Sequence, residues 1–162
     1  MAIVEWVERL GADLGLGALP LAERGVREVR LEDGTAFALE LARDREGLFL
    51  HAALGALPPE GPGLGPFLEA LLVGNHVDEA ADGAVLAVDP VMAEVVLGRV
   101  VAAGEAAEYE DFAGLVRTFV SRAEAERERL RRLGGPPGQT DAPDTPARPE
   151  DPIFLHAHFL RA

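Results

Sequence analysis

Residues 26–54 read "VREVRLEDGTAFALELARDREGLFLHAAL", and this stretch decides the fold. Apolar and polar side chains alternate through three short runs, and a period of two is typical of strands with one buried face. Asp33-Gly34, between the first two runs, is a dipeptide favoured in tight hairpin turns. The stretch therefore predicts a three-stranded antiparallel meander, whose apolar face carries Val29, Leu31, Phe37, Leu39, Leu41, Leu48 and Leu50.

A helix is predicted before the meander. In "AIVEWVERLGADLG", residues 2–15, apolar side chains recur at spacings of three and four, which places them on one face of an amphipathic helix. These side chains are Ile3, Trp6, Val7, Leu10 and Leu14. Gly15 and Gly17 follow, and glycine commonly ends a helix.

A second helix and two more strands are predicted after a connector rich in proline and glycine. Pro66 suits the first turn of the helix "PFLEALLVGNH", whose apolar stripe consists of Phe67, Leu68, Leu71 and Leu72. "ADGAVLAVDP", residues 81–90, predicts a fourth strand. Residues 94–101 predict a fifth strand, although their length and alanine content also permit a helix.

A long final helix is predicted from about Glu108 to Leu133. Its apolar side carries Phe112, Val116, Phe119, Ala123, Leu130 and Leu133. We expect its far end, "SRAEAERERLRR", to be a solvated charged surface. The order of elements predicts an α+β fold, α-β-β-β-α-β-β-α, with a twisted antiparallel sheet.

The chain divides into three parts by composition. Residues 1–133 form the predicted domain. Residues 134–151 are predicted to be a linker, because half of the residues from Gly134 to Pro149 are glycine or proline. Residues 152–162 form an apolar C-terminal segment that contains "IFLHAHFL".

Charge and cysteine content exclude several classes of function. The formal net charge is -13, and all 15 basic residues are arginine. Nucleic acid and anionic membranes are therefore poor partners, because both are negatively charged. A basic or neutral polypeptide suits the negative electrostatic field of this protein better. The absence of cysteine excludes a disulfide framework and agrees with a reducing cytosol. Neither a secretory signal nor a run of about eighteen apolar residues is present, so we expect a cytosolic protein.

Residues for catalysis or metal binding are scarce. The one serine, Ser121, has no histidine near it in sequence to serve as a base. His156 and His158 share a side only in a strand, and no cysteine or second pair is there to complete a zinc site. Asp78, Glu79 and Asp82 miss the spacing of a calcium loop. We therefore predict no enzyme, no cofactor and no metal site.

Four segments together carry a family resemblance, namely "LFLHAALGALPPE", "FLEALLVGN", "GAVLAVDP" and "YEDFAGLVRTFVSRAEAERERL". In this order and spacing they resemble the Tir-chaperone (CesT-like) family, the class I chaperones of bacterial type III secretion. The resemblance implies a homodimer, no catalysis, and binding of the extended N-terminal segment of a secreted effector. One departure stands at Glu126, where the family often carries tryptophan, so the outer half of the last helix is expected to pack differently.

The resemblance also implies where the surfaces lie. For client binding we expect apolar groove residues from the first helix and the meander, namely Trp6, Leu10, Leu14, Leu39, Phe49 and Leu50. The alternative for these residues is an ordinary place in the core, and Phe49 lies on the opposite pleat from Leu48 and Leu50. For the dimer interface we expect the second helix and its neighbouring strands, with Phe67, Leu68, Leu71 and Leu72 serving the interface, the core or both.

Two alternatives remain open at this level. The C-terminal segment either docks on its own or the partner subunit's client surface, or adds an ordinary strand or helical turn to the fold. The function is either that of an export chaperone in the bacterial cytoplasm, or that of a non-enzymatic scaffold or regulatory module on the same fold.

Overall fold

A computed structural model describes residues 2–15, 26–30, 36–42, 47–76, 82–102 and 104–134. Its elements are α1 (Ala2–Asp13), β1 (Val26–Arg30), β2 (Ala36–Leu41), β3 (Gly47–Ala56), α2 (Leu64–Gly74), β4 (Val85–Asp89), β5 (Glu94–Ala102) and α3 (Tyr109–Arg132). The predicted α+β order is confirmed, and the ambiguous fifth segment is a strand. Among the predicted features, Gly17, Leu31, the Asp33-Gly34 turn, Asp78, Glu79 and residues 135–162 lie outside the described part.

The five strands form one antiparallel sheet in the order β1-β2-β3-β5-β4. The register places Phe49 of β3 opposite Glu40 of β2 on one side and opposite Val100 of β5 on the other. A bulge between Ala53 and Gly55 shifts the register of β3 against β5. Because side chains alternate along each strand, this register assigns every strand residue to one of two faces.

One face of the sheet, here called the inner face, carries the core. Leu39, Leu48, Leu50, Leu86, Val95, Leu97 and Val101 point into it. Residues from all three helices belong to the same cluster, namely Val7, Leu10, Phe67, Leu71, Phe112, Val116, Phe119, Ala123 and Leu130. The apolar periodicities of the sequence therefore converge on one layer of helices over one side of the sheet.

An aromatic and polar seam joins α1 to the start of α3. The ring of Trp6 stacks on Phe112 with centroids 5.8 Å apart, and the guanidinium of Arg9 lies 3.8 Å from the centroid of Tyr109. The Tyr109 hydroxyl donates a hydrogen bond to Asp13 at 2.5 Å. Burial of the phenol, together with this carboxylate, raises the pKa of Tyr109 to about 12. The neutral phenol is therefore the form that the folded state favours.

The far half of α3 is only in part the solvated charged surface that its sequence predicted, because Glu124, Arg131 and Arg132 are exposed whereas other charged residues are buried or half-buried. Glu126 is only 7% exposed and accepts a hydrogen bond from Arg129 Nε at 2.7 Å. Arg129 also donates to the carbonyl of Ala70 at 3.1 Å, and Arg122 pairs with Asp82. Arg122 also donates to the carbonyl of Gly74, the last residue of α2, at 3.4 Å, and the C-terminal end of a helix attracts cations.

Candidate client-binding and dimer surfaces

The second face of the sheet, the outer face, is apolar and lacks a helical cover among the described residues. Its exposed members include Val100 and Val85, at 48% and 37% accessible surface. None of its apolar side chains belongs to the core cluster in which the three helices pack. We call Phe49, His51, Val85, Val96 and Val100 the outer apolar face.

A flat aromatic pair lies at the centre of the outer apolar face. The rings of Phe49 and His51 stack with centroids 5.3 Å apart and an interplanar angle of 19°. Phe49 lies flat because Gly98 faces it with no side chain, and a Cβ atom built on Gly98 would be 3.0 Å from Phe49 Cζ. The sheet thus presents an aromatic platform with valines beside it.

Carboxylates border this platform toward the β1 edge. Glu40 is directly opposite Phe49 in the register, and Glu28 of β1 is opposite Ala38 on the same face. Arg30 of β1 is on the same face and donates to Glu28 at 3.3 Å, so this border carries two acids and one base, and its net negative charge complements a segment with large apolar residues and positive charge.

The two edges of the sheet differ in how much of their backbone is available. At the β4 edge the side chain of Asn75 mimics a paired strand, because it donates to Leu86 O at 2.8 Å and accepts from Leu86 N at 2.7 Å. The carboxylate of Asp82 accepts from Ala84 N at 3.0 Å. The β1 edge has β2 as its one neighbour among the described strands. The β4 edge is therefore largely closed to another strand, and β1 is the more open one.

A second apolar patch lies on α2 beside the β4 edge. Leu72 and Val73 are 73% and 64% exposed, whereas Phe67 and Leu71 of the same helix are in the core. Leu68 is half-buried against that core. We call Leu68, Leu72 and Val73 the α2 patch. The four-residue stripe predicted for the interface thus divides into two core residues and two with accessible surface.

Three of the six residues predicted for client binding are interior. Leu10, Leu39 and Leu50 are at most 6% exposed and belong to the core. Their direct role in binding stays a prediction.

The other three have accessible surface but belong to different parts of the fold. Phe49 is on the outer apolar face, whereas Trp6 is half-buried against the core through α1, and Leu14 is 40% exposed just beyond the end of α1. Sequence reasoning missed Val85 and Val100. The period of two in β4 and β5 contained the signal, since the residues between the core positions are apolar there as well.

Within the described ranges, no group of histidine or carboxylate side chains is arranged to hold a metal ion. The helices of the same ranges also include none with the length and apolar character that a membrane crossing requires.

Comparison with known proteins gives a family match and several structural matches. The model of the Tir chaperone protein (CesT) family matches residues 5–127. A chain in the crystal structure of the ExsC-ExsE complex superposes with a TM-score of 0.66 at 21% identity, covering 80% of this chain and 93% of that one. A chain of the heterodimeric ExoU-SpcU complex from the type III secretion system of Pseudomonas aeruginosa gives 0.59 at 21%, covering 81% and 96%. A chain of the HopA1-SchA chaperone-effector complex gives 0.62 at 14%, covering 76% and 91%.

A sequence search of curated proteins gives no match. The structural likenesses, all at low identity, establish the fold, and the family model covers more than half of the 162 residues. The chain therefore belongs to the Tir chaperone protein (CesT) family.

Proposed function

We propose that this type III secretion chaperone acts as a homodimer that holds an extended N-terminal segment of a secreted effector in the bacterial cytoplasm. Membership of a chaperone family agrees with the prediction that the chain is not an enzyme. The structural relatives include complexes of a chaperone with an effector, which supports an effector as the partner. The observation that carries the proposal is the outer apolar face, in which Val85 and Val100 are exposed and Phe49 and His51 are half-buried in the single chain.

The outer apolar face suits an unfolded client for two reasons. Its flat platform of Phe49 and His51 accepts large side chains without requiring one fixed shape, because aromatic rings and valines make non-directional contacts. The β1 edge at the margin of the sheet offers backbone groups to an extended chain, and strand addition of this kind is a common mode of peptide recognition. The net charge of -13 keeps such a surface dispersed in solution.

The α2 patch is the proposed centre of the dimer. Leu72 is 73% exposed, and a large apolar side chain of this exposure gains about 1.5–3 kcal/mol on full burial. In a two-fold dimer each such residue is buried twice. Leu72→Glu should therefore weaken the dimer by at least a hundredfold, which we would measure as a shift from twice the chain mass of 17.2 kDa to a single mass.

We expect a neighbouring gene to encode the secreted client, and client binding is tested by co-expression with that candidate, followed by mass measurement of the complex. We expect Val100→Asp to weaken the complex by tenfold or more, because it places a charge among apolar side chains. Val91→Asp is the matched control, since Val91 is 63% exposed in the β4–β5 turn, outside the outer apolar face. Equal affinities for the two variants would contradict client binding at this face.

A further inference from the structure

The outer apolar face is matched by an apolar segment of the same chain that lies outside the described residues. Residues 153–160 read "IFLHAHFL" and contain five large apolar side chains. In an extended chain alternate residues share a side, which would place Ile153, Leu155 and Phe159 together. The segment would thus have one wholly apolar side when extended. A flat apolar surface can bury such a side from water.

Charge distinguishes this segment from the rest of the chain. The protein contains 28 acidic residues, yet none lies between Ile153 and the end, where the charged residue is Arg161. The border of the outer apolar face carries two acids, Glu28 and Glu40, and one base, Arg30, which pairs with Glu28. The net negative charge of this border attracts the segment, whereas the end of α2 beside the α2 patch receives the guanidinium groups of Arg122 and Arg129, so docking at the border is favoured.

The connecting chain is long enough for contact within one subunit. Eighteen residues separate Gly134 from Ile153, and at about 3.1 Å per residue they reach roughly 55 Å when extended. A domain of this size has a radius of gyration of about 14 Å, so every part of its surface is within reach. A tether of this kind gives a local concentration on the order of 1 mM, at which a contact with a Kd of about 0.2 mM would be mostly formed.

We propose that residues 153–160 dock on the outer apolar face of their own subunit. The docked segment shields Val85 and Val100 from water while no client is bound. Since the proposed client surface is the same face, a client must displace the segment, and this consequence rests on the proposed function. The docking itself does not.

Thiol accessibility in the full-length chain tests the proposal directly, because the protein contains no cysteine of its own. We would introduce Val100→Cys and measure its alkylation rate with the natural segment and with Leu155→Ser and Phe159→Ser together, since both side chains lie on the proposed docking side. A local concentration of about 1 mM and a Kd of about 0.2 mM predict a roughly sixfold faster reaction once the segment is made polar. Val85→Cys is a second probe of the same face, should the first variant fold poorly.

Controls distinguish the docked segment from other occupants. Val91→Cys, on the β4–β5 turn, should react at the same rate with either segment. The proposal is overturned if the alkylation rates of Val85→Cys and Val100→Cys are the same with the natural and the mutated segment. It is also overturned if the segment mutations change only the rate of Leu72→Cys, because the segment would then dock on α2. A protection that disappears on dilution from about 50 to 1 µM also overturns it, because docking within one subunit is independent of concentration. Since no client is used, failure here leaves the chaperone function unaffected.

Discussion

Replacing Asn75 tests whether its side chain closes the β4 edge. Asn75 makes two hydrogen bonds, of 2.8 and 2.7 Å, to the backbone of Leu86. A hydrogen bond of this kind contributes about 1 kcal/mol net, and a buried group left without a partner costs a further 1–3 kcal/mol. Because Leu86 is on an edge strand, removal of the Asn75 side chain opens space for water near these two groups, and we expect Asn75→Ala to lower the free energy of unfolding by about 2–3 kcal/mol.

Asn75→Asp is the informative second variant. It keeps an acceptor for Leu86 N, but it places a carboxylate oxygen against Leu86 O, and two acceptors repel each other. We expect it to be at least as destabilising as Asn75→Ala, although it is closer in shape to the natural side chain. Chemical denaturation measures the free energy of unfolding of both variants. His76→Ala, at an exposed neighbouring position, is the control, and we expect it to change this free energy by no more than about 0.5 kcal/mol.

Hydrogen exchange at a single amide completes the test. The N–H group of Leu86 is protected by Asn75, so its exchange should accelerate in Asn75→Ala more than that of core amides on β3. If stability changes by less than about 0.5 kcal/mol and the Leu86 amide exchanges as before, the β4 edge is not held closed by this side chain.

Three other predictions follow from single contacts. Tyr109, the one tyrosine, should ionise with a midpoint near pH 12 in an ultraviolet titration. Because this pKa exceeds the unfolded value of 10.0, the free energy of unfolding should fall as pH rises from 10 toward 12. Tyr109→Phe should show no such fall. Glu126→Ala should cost about 1–2 kcal/mol in denaturation, since Arg129 is one-third exposed and water replaces part of the lost pair, whereas Glu126→Gln, which keeps an acceptor, should cost less. Gly98→Val should weaken client binding at least tenfold with a smaller effect on folding, because its side chain displaces the Phe49 ring; equal binding would show that the flat ring is unnecessary.

The fold was predictable because its apolar periods are simple. The alternation in residues 26–54 and the three- and four-residue spacings of the helices are local properties, and each assigns a face without knowledge of partners. The same alternation placed Phe49 opposite to Leu48 and Leu50, and the structure has Phe49 on the outer face and the two leucines in the core.

The parts that sequence did not predict depend on distant partners. The arginines of α3 were interpreted as solvated because their neighbours in sequence are charged, but Arg129 contacts a carbonyl 59 residues away, at Ala70. Leu39 and Leu50 illustrate the reverse case. Large apolar residues on a strand suit a groove and a core equally, and the position of the helices decides between the two.

The β1 and β4 edges of the sheet differ in how readily they pair with a further strand, and this difference limits self-association of the chain. A sheet with two open edges can add further copies of the chain at both edges, which is how fibrils grow. Here Asn75 and Asp82 occupy backbone groups at the β4 edge, so among the described strands two copies can pair at their β1 edges but the pair is not extended at the β4 edges. A chaperone with an exposed apolar surface thereby limits its own polymerisation through the sheet.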